Sequence, residues 1–334
     1  MSTFIVNQFG FAEMNLRFTG DYDKLMMMIR RAVIMGYDSI VINTDIGDLG
    51  NNMGEKLSIT ITKSFQFNEN WGEPPSKKKR KEAHRDKMII PNPPKVDISK
   101  IDTSSLEVSG KRLRIFTRLT VNLADSTSVH ILMHHPQLKK YDVIAVRVAD
   151  EKILQTLSRK GDFIDIITYE QTNDNISWIY KSKTIQSCIS EGIFFEISYA
   201  DALTNSNDRR QVLINGRKLL SSTSNGRGII LSSGASSMMN IRAPYDAANL
   251  MVLFGIRPED ARKFISGKHF LNLLLAESRR TVKGTAVVTS LENVPSRFIS
   301  KKTALERILS VPEFRAQLEF TEQPSKNSDL SVNS

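Results

Sequence analysis

The residues of this chain that could do chemistry fall into three groups: acids and hydroxyls at strand ends, histidines at helical spacing, and arginines placed where anions bind. Glu13, Glu196, Ser198, Ser232 and Ser233 make up the first group. Carboxylates beside hydroxyls can carry general acid–base or nucleophilic steps, but such groups also bond to each other and to loop amides. Among the histidines, His130 and His134 stand four residues apart and could meet on one helical face, with no acidic third ligand beside them. His135 and His269 also fall on helical stretches, and His84 falls in a charged segment. A metal-dependent hydrolase needs imidazoles and carboxylates gathered at strand ends, so no metal ligand, catalytic residue or cofactor is assigned. The chain has no Gly-rich phosphate loop, nucleophile elbow or paired-cysteine motif. Its one cysteine, Cys188, shares an apolar helix side with Ile185 and Ile189 and reads as buried structure.

The arginines point elsewhere. Arg114, Arg118 and Arg147 lie in strands or at their ends, and Arg209, Arg210 and Arg217 sit on one polar helix, the last two seven residues apart. Arg242 stands just ahead of a helix that opens on Pro244 and stops before Gly255. A cation there opposes the partial positive charge of the helix N-terminus, which suggests that an anion compensates it. The guanidinium fork matches phosphate, and helix-start amides add donors for the same oxygens. Arg118, Arg147, Arg209, Arg210, Arg217 and Arg242 are therefore the candidate RNA contacts. The alternative for Arg118 and Arg147 is pairing with Glu13, Glu196 or Asp201 to hold the strand ends closed.

Seven strand-like apolar runs alternate with helical periods, the pattern of parallel βα units. The runs are Phe11 to Phe18, Ser39 to Asn43, Arg112 to Thr120, Asp142 to Val148, Phe163 to Thr168, Gly192 to Tyr199 and Gly228 to Gly234. Helices are expected after Asp21, over Ser128 to Lys139, after Asp150, around Cys188, over Pro258 to Ile265 and over His269 to Arg280. No eighth strand follows. The expected fold is an irregular seven-stranded βα barrel of the TIM type over residues 1–292, with an accessory helix and polar tail over 293–334. The 334 residues, 40% apolar and 25% charged, can fill such a core. No apolar run reaches bilayer length and no signal segment is apparent, so no membrane role is expected.

The alternation breaks over residues 46–110. Leu57 to Thr62 reads as an exposed strand, but the prolines and charges that follow cannot bury enough surface to hold a fold, so a largely disordered insert is expected. Between Gly72 and Lys95 eight Lys or Arg face three acids, which leaves +5 of the chain's +10 in one short stretch. Lys77, Lys78, Lys79, Arg80 and Lys81 form a candidate nuclear import signal or, alternatively, a solvated RNA-grazing linker.

Several segments together carry a family resemblance. They are Glu13-Met14-Asn15, Met35-Gly36-Tyr37-Asp38, Arg118-Leu119-Thr120, Tyr141 to Val146, Phe195-Glu196-Ile197-Ser198-Tyr199 with Arg209-Arg210, Ile230 to Ser233, and Arg242-Ala243-Pro244-Tyr245-Asp246-Ala247-Ala248-Asn249-Leu250. From Phe11 to Gly284, insert excluded, the chain resembles the TIM-barrel, thirty-kilodalton protein subunit of ribonuclease P and ribonuclease MRP. The resemblance implies a noncatalytic barrel in a ribonucleoprotein that matures the 5′ end of precursor tRNA or processes ribosomal RNA, the RNA carrying the phosphodiester chemistry. The family is also similar to barrel phosphoesterases whose first strand bears a His-x-His metal motif, for which this chain has Glu13-Met14-Asn15. Implied partners are the RNase P RNA, the RNase MRP RNA, precursor tRNA through the complex, and other protein subunits including a small α/β one, in the nucleus and nucleolus. Two competing readings are a barrel phosphoesterase built from Glu13, Glu196 and Ser232, and a nuclear adaptor for acidic proteins.

Overall fold

The computed structural model describes residues 10–48 and 90–266, apart from 124 and 162. The chain divides into two units, Met1–Val282 and Lys283–Ser334, and the described residues lie in the first. The strand expected over Leu57 to Thr62, the basic run Lys77 to Lys81, the helix over His269 to Arg280 and the accessory helix lie outside the described residues.

The described residues form a seven-stranded, wholly parallel sheet in sequential order. Its strands are β1 Phe11–Arg17, β2 Tyr37–Asp48, β3 Arg114–Leu123, β4 Val143–Val148, β5 Ile166–Thr168, β6 Phe194–Ser198 and β7 Ile229–Ser232. The helices between them are α1 Tyr22–Ile34, α2 Ser104–Glu107, α3 Ser126–Met133, α4 Glu151–Leu157, α5 Ser182–Ser190, α6 Ala200–Thr204 and α7 Ser206–Ser222, and α8 Pro244–Leu253 and α9 Pro258–Ala261 follow β7. The ring is nearly closed: Leu16 bridges Ala235 in parallel, and the Arg17 amide donates to the Ala235 carbonyl at 2.9 Å.

Alternation along the strands sorts side chains into two surfaces. Residues such as Ile40, Ile42, Leu119, Val121, Ile144, Val146, Phe195 and Ile197 face outward and pack under the helices in one large core. Inside the barrel, Ala12, Met14, Val41, Val143, Ala145, Ile166, Phe194 and Ile230 form a separate apolar layer. Further toward the C-terminal strand ends the inward positions turn polar: Asn43, Arg118, Thr120, Thr168, Glu196, Ser198 and Ser232 are all buried.

Local chemistry sets the element ends. Asp21 caps α1 by accepting from the amides of Asp23 and Lys24 at 2.9 and 3.1 Å, as expected of a short acidic side chain at that position. Asp150 precedes α4 but makes no such side-chain bond. The helix expected from Ser128 to Lys139 is instead α3 followed by a separate 3₁₀ turn, Pro136–Lys140, because Pro136 cannot continue the helical hydrogen bonding.

Part of the segment expected as an insert belongs to the packed barrel. Residues 46–48 complete β2, and over 90–110 the side chains of Ile90, Ile101 and Leu106 are buried against the large core. Tyr141 donates its hydroxyl to the Pro91 carbonyl at 2.9 Å. Widely spaced apolar residues carry no periodic signal, and only the helices they lie against reveal that they are covered.

Candidate functional site

At the C-terminal mouth of the barrel the polar layer forms one connected network. β3 and β6 lie on opposite sides of the ring, and their inward positions place Arg118 against Glu196. The two make a bidentate pair, Nη1 to Oε1 at 2.7 Å and Nη2 to Oε2 at 2.6 Å, with both side chains 0% exposed. The remaining donors of Arg118 reach the Met14 carbonyl at 3.0 Å and Thr120 Oγ1 at 3.1 Å. Thr120 donates to Asn43 Oδ1 at 2.7 Å, Asn43 to Asn15 Oδ1 at 2.8 Å, and Asn15 back to Glu196 Oε1 at 3.1 Å. Ser232 Oγ donates to the same carboxylate oxygen at 2.7 Å.

The electrostatics follow from this arrangement. Burial pushes the Glu196 carboxyl up, but the Arg118 charge and the hydrogen bonds from Arg118, Ser232 and Thr168 outweigh it and hold the group at about 2. Both carboxylate oxygens are engaged, and so weak a base is poorly suited to accept a proton near neutrality. Glu13 is the opposite case. Burial pushes it up to about 7, although the amides of Asn15 and Ser233 donate to its Oε1 at 3.0 and 2.9 Å. Glu13, Glu196 and Ser232 are thus all buried and engaged in internal hydrogen bonds. Among the described residues no group of three His, Cys, Asp or Glu side chains could hold a metal ion. His130 and His134 do meet on α3, with Nδ1 atoms 3.1 Å apart. Cys188 is buried, and burial pushes its thiol up to about 12.

The six candidate arginines separate by environment. Arg118, fully enclosed, has no surface to offer RNA, so it is withdrawn from that set; the alternative pairing with Glu196 describes it. Half-buried Arg147 pairs with Asp45 at 2.6 Å and donates to Asn122 at 2.5 Å, so its expected pairing with Glu13, Glu196 or Asp201 goes instead to β2 and β3. Arg209, Arg210 and Arg217 are all exposed on α7. Arg209 bonds to the Ala202 carbonyl at 2.9 Å, and Arg217 grips the Leu253 carbonyl with two nitrogens at 3.0 and 2.8 Å. On the inner face of α7, Asn215 donates to the carbonyls of Gln171 and Asn173 at 3.0 and 2.7 Å, which pins this helix to the loop after β5.

Arg242 is held by its backbone: its amide donates to the Tyr199 hydroxyl at 3.2 Å, and its carbonyl accepts from the Tyr37 hydroxyl at 3.1 Å. Two buried tyrosines from the barrel thereby fix the residue ahead of α8 and leave its guanidinium exposed. Sequence reasoning missed Arg17 and Gln171, which line the mouth with Asn15, Arg147 and Ser198. Arg17 could have been found as a cation one position before the end of the run expected from Phe11 to Phe18.

Known sequences give this geometry its context. The profile of the family described as RNase P subunit p30 matches residues 10–281. Protein GAMETOPHYTE DEFECTIVE 1 of Arabidopsis thaliana is 38% identical over 154 residues, which are 46% of this chain but 26% of the plant protein. Ribonuclease P protein subunit p30 of Mus musculus is 26% identical over 277 residues, 82% of this chain and 88% of the mouse protein. Ribonuclease P/MRP protein subunit RPP1 of Saccharomyces cerevisiae is 30% identical over 177 residues, 53% of this chain and 59% of the yeast protein.

Proposed function

The chain belongs to the RNase P subunit p30 family, and from that premise we propose that it is a noncatalytic RNA-binding and scaffolding subunit of the ribonucleoprotein endoribonuclease that matures the 5′ end of precursor tRNA. The same role in an RNase MRP particle is part of the proposal and is supported by the likeness to a yeast subunit named for both. Its partners are the particle RNAs, precursor tRNA through the complex, and further protein subunits including a small α/β one. It works in the nucleus, with nucleolar enrichment, and Lys77, Lys78, Lys79, Arg80 and Lys81 act as its import signal.

The observation that carries this reading is the closed mouth. A catalytic barrel keeps its strand-end groups open to substrate; here Arg118 and Glu196 consume each other's hydrogen-bonding capacity inside the ring. Of the six candidate arginines, the two that remain exposed with no side-chain partner among the described residues are Arg210 and Arg242. Guanidinium groups on a rigid scaffold position phosphates without reading sequence. Arg147, Arg209 and Arg217, each tied to the scaffold by part of its fork, have donors left for the same purpose.

Recovery of the tagged chain from cell extract, followed by sequencing of the co-purifying RNA, tests the proposal. Enrichment of the RNase P and MRP RNAs is the expected result. The Arg210→Glu, Arg242→Glu double variant should weaken recovery of both RNAs while its circular dichroism and melting temperature stay unchanged. Metal-dependent phosphodiester hydrolysis by the purified chain, lost on Glu196→Gln, would replace this reading with that of a barrel phosphoesterase. Protein partners without RNA after nuclease treatment would favour the adaptor.

A further inference from the structure

Four cations stand well outside the arginine set discussed so far. Helices α4 and α5 follow β4 and β5, which are neighbours in the sheet, so the two helices lie side by side on the outside of the barrel. Between them runs an open groove of about 690 Å³ whose lining includes Lys152, Arg159, Lys160 and Lys183. Lys152, Arg159 and Lys183 are exposed and Lys160 is half-buried. None of the four makes a side-chain ion pair or hydrogen bond among the described residues, and no acid lines the groove. The acid at the start of α4 is already used: Glu151 pairs at 3.2 Å with Lys181, the residue just ahead of α5.

Four unpaired cations around one groove repel each other, an effect that salt screens over about 8 Å. That arrangement destabilises the isolated chain and is relieved by a polyanion. Among the remaining lining residues, the Gln155, Thr156 and Ser158 side chains donate within or next to α4, and Thr184 and Ser187 supply hydroxyls of the kind that contact phosphate and sugar oxygens. Aromatic and large aliphatic anchors are missing from the groove, whereas a protein interface would be centred on them. Without aromatic rings there is also no platform on which unstacked bases could sit, which favours a base-paired segment whose phosphates are presented in regular order.

We infer that the groove between α4 and α5 binds the phosphate backbone of a double-helical RNA segment, with Lys152, Arg159, Lys160 and Lys183 as its contacts and without sequence preference. This inference rests on the RNA-binding reading above and adds a face to it, on a different set of helices from Arg210 and Arg242.

The test is fluorescence anisotropy of the purified full chain with a labelled RNA hairpin across a salt series, comparing wild type with K152A/R159A/K160A/K183A. All four side chains reach the surface, so the variant should keep the wild-type circular dichroism spectrum. Expected is binding weakened at least about tenfold, with the slope of log affinity against log salt shallower by up to about 3, since each lost phosphate contact removes about 0.7 to 0.9. A scrambled hairpin should bind wild type equally well. If wild type binds the hairpin and the quadruple variant keeps both affinity and slope, the groove assignment fails while the RNA-binding reading stands. If wild type binds no RNA, both fail. Displacement of the hairpin by polyglutamate at comparable charge concentration would overturn the RNA assignment in favour of an acidic protein.

Discussion

Replacing Glu13 by glutamine should stabilise this barrel, relative to wild type, more at alkaline than at acidic pH. The Glu13 carboxyl ordinarily titrates near 4.5 and stands at about 7 in the folded barrel, chiefly through burial. Between those values the folded chain holds a proton that the unfolded chain has released. Stability therefore falls as pH rises from about 4.5 to about 7, and the loss persists above it. At about 1.4 kcal/mol for each pH unit, that interval amounts to about 3 kcal/mol. Glutamine keeps an oxygen for the Asn15 and Ser233 amides and removes the titration. Its new N–H group carries a fixed cost of about 1–3 kcal/mol if it finds no acceptor. That cost is the same at every pH and cancels when variant and wild type are compared at two pH values. Urea unfolding of both proteins at pH 4.5 and pH 8 should thus show the variant gaining about 3 kcal/mol relative to wild type between the two conditions. A relative gain below about 1 kcal/mol would show that Glu13 is not held protonated by its surroundings, and the account of the mouth would be wrong.

The Arg118–Glu196 pair makes the opposite prediction. Arg118→Met should cost about 3–5 kcal/mol in urea unfolding at pH 7 by stranding a buried carboxylate, whereas the double change Arg118→Met, Glu196→Leu should cost much less. Because Glu196 is held at about 2, its contribution is present above its ordinary value of 4.5 and is lost as pH falls from there toward 2; the cost of Glu196→Gln should shrink over that range in the same assay. Gly234 has φ +63°, and a Cβ there would come within 2.9 Å of the Ser198 Cβ, so Gly234→Ala should lower stability by about 1–3 kcal/mol. Arg147→Ala removes a pair with Asp45 whose side chains are 21% and 26% exposed and should cost about 1 kcal/mol, an effect that weakens with added salt.

The order and type of the barrel elements were legible in the chain because they depend on neighbours in sequence. Asp142 to Val148 reads as a buried parallel strand on its own, and α1 announces itself through Asp21 and the spacing of Leu25, Met28, Ile29 and Ala32. The residue types of the mouth were legible as well, since they stand at strand ends. What each one does there depends on closing the ring. Arg118 meets Glu196 across 78 residues of chain, and Tyr37 in β2 and Tyr199 just after β6 converge on Arg242. No local pattern separates an arginine that will be enclosed from one that will stay in solvent. Register and sheet curvature decide it, and they exist only once the strands are paired. The α4–α5 groove has the same origin: Lys152 and Lys183 lie on consecutive βα units, and parallel packing of those units turns two ordinary polar helix faces into one concentrated positive surface.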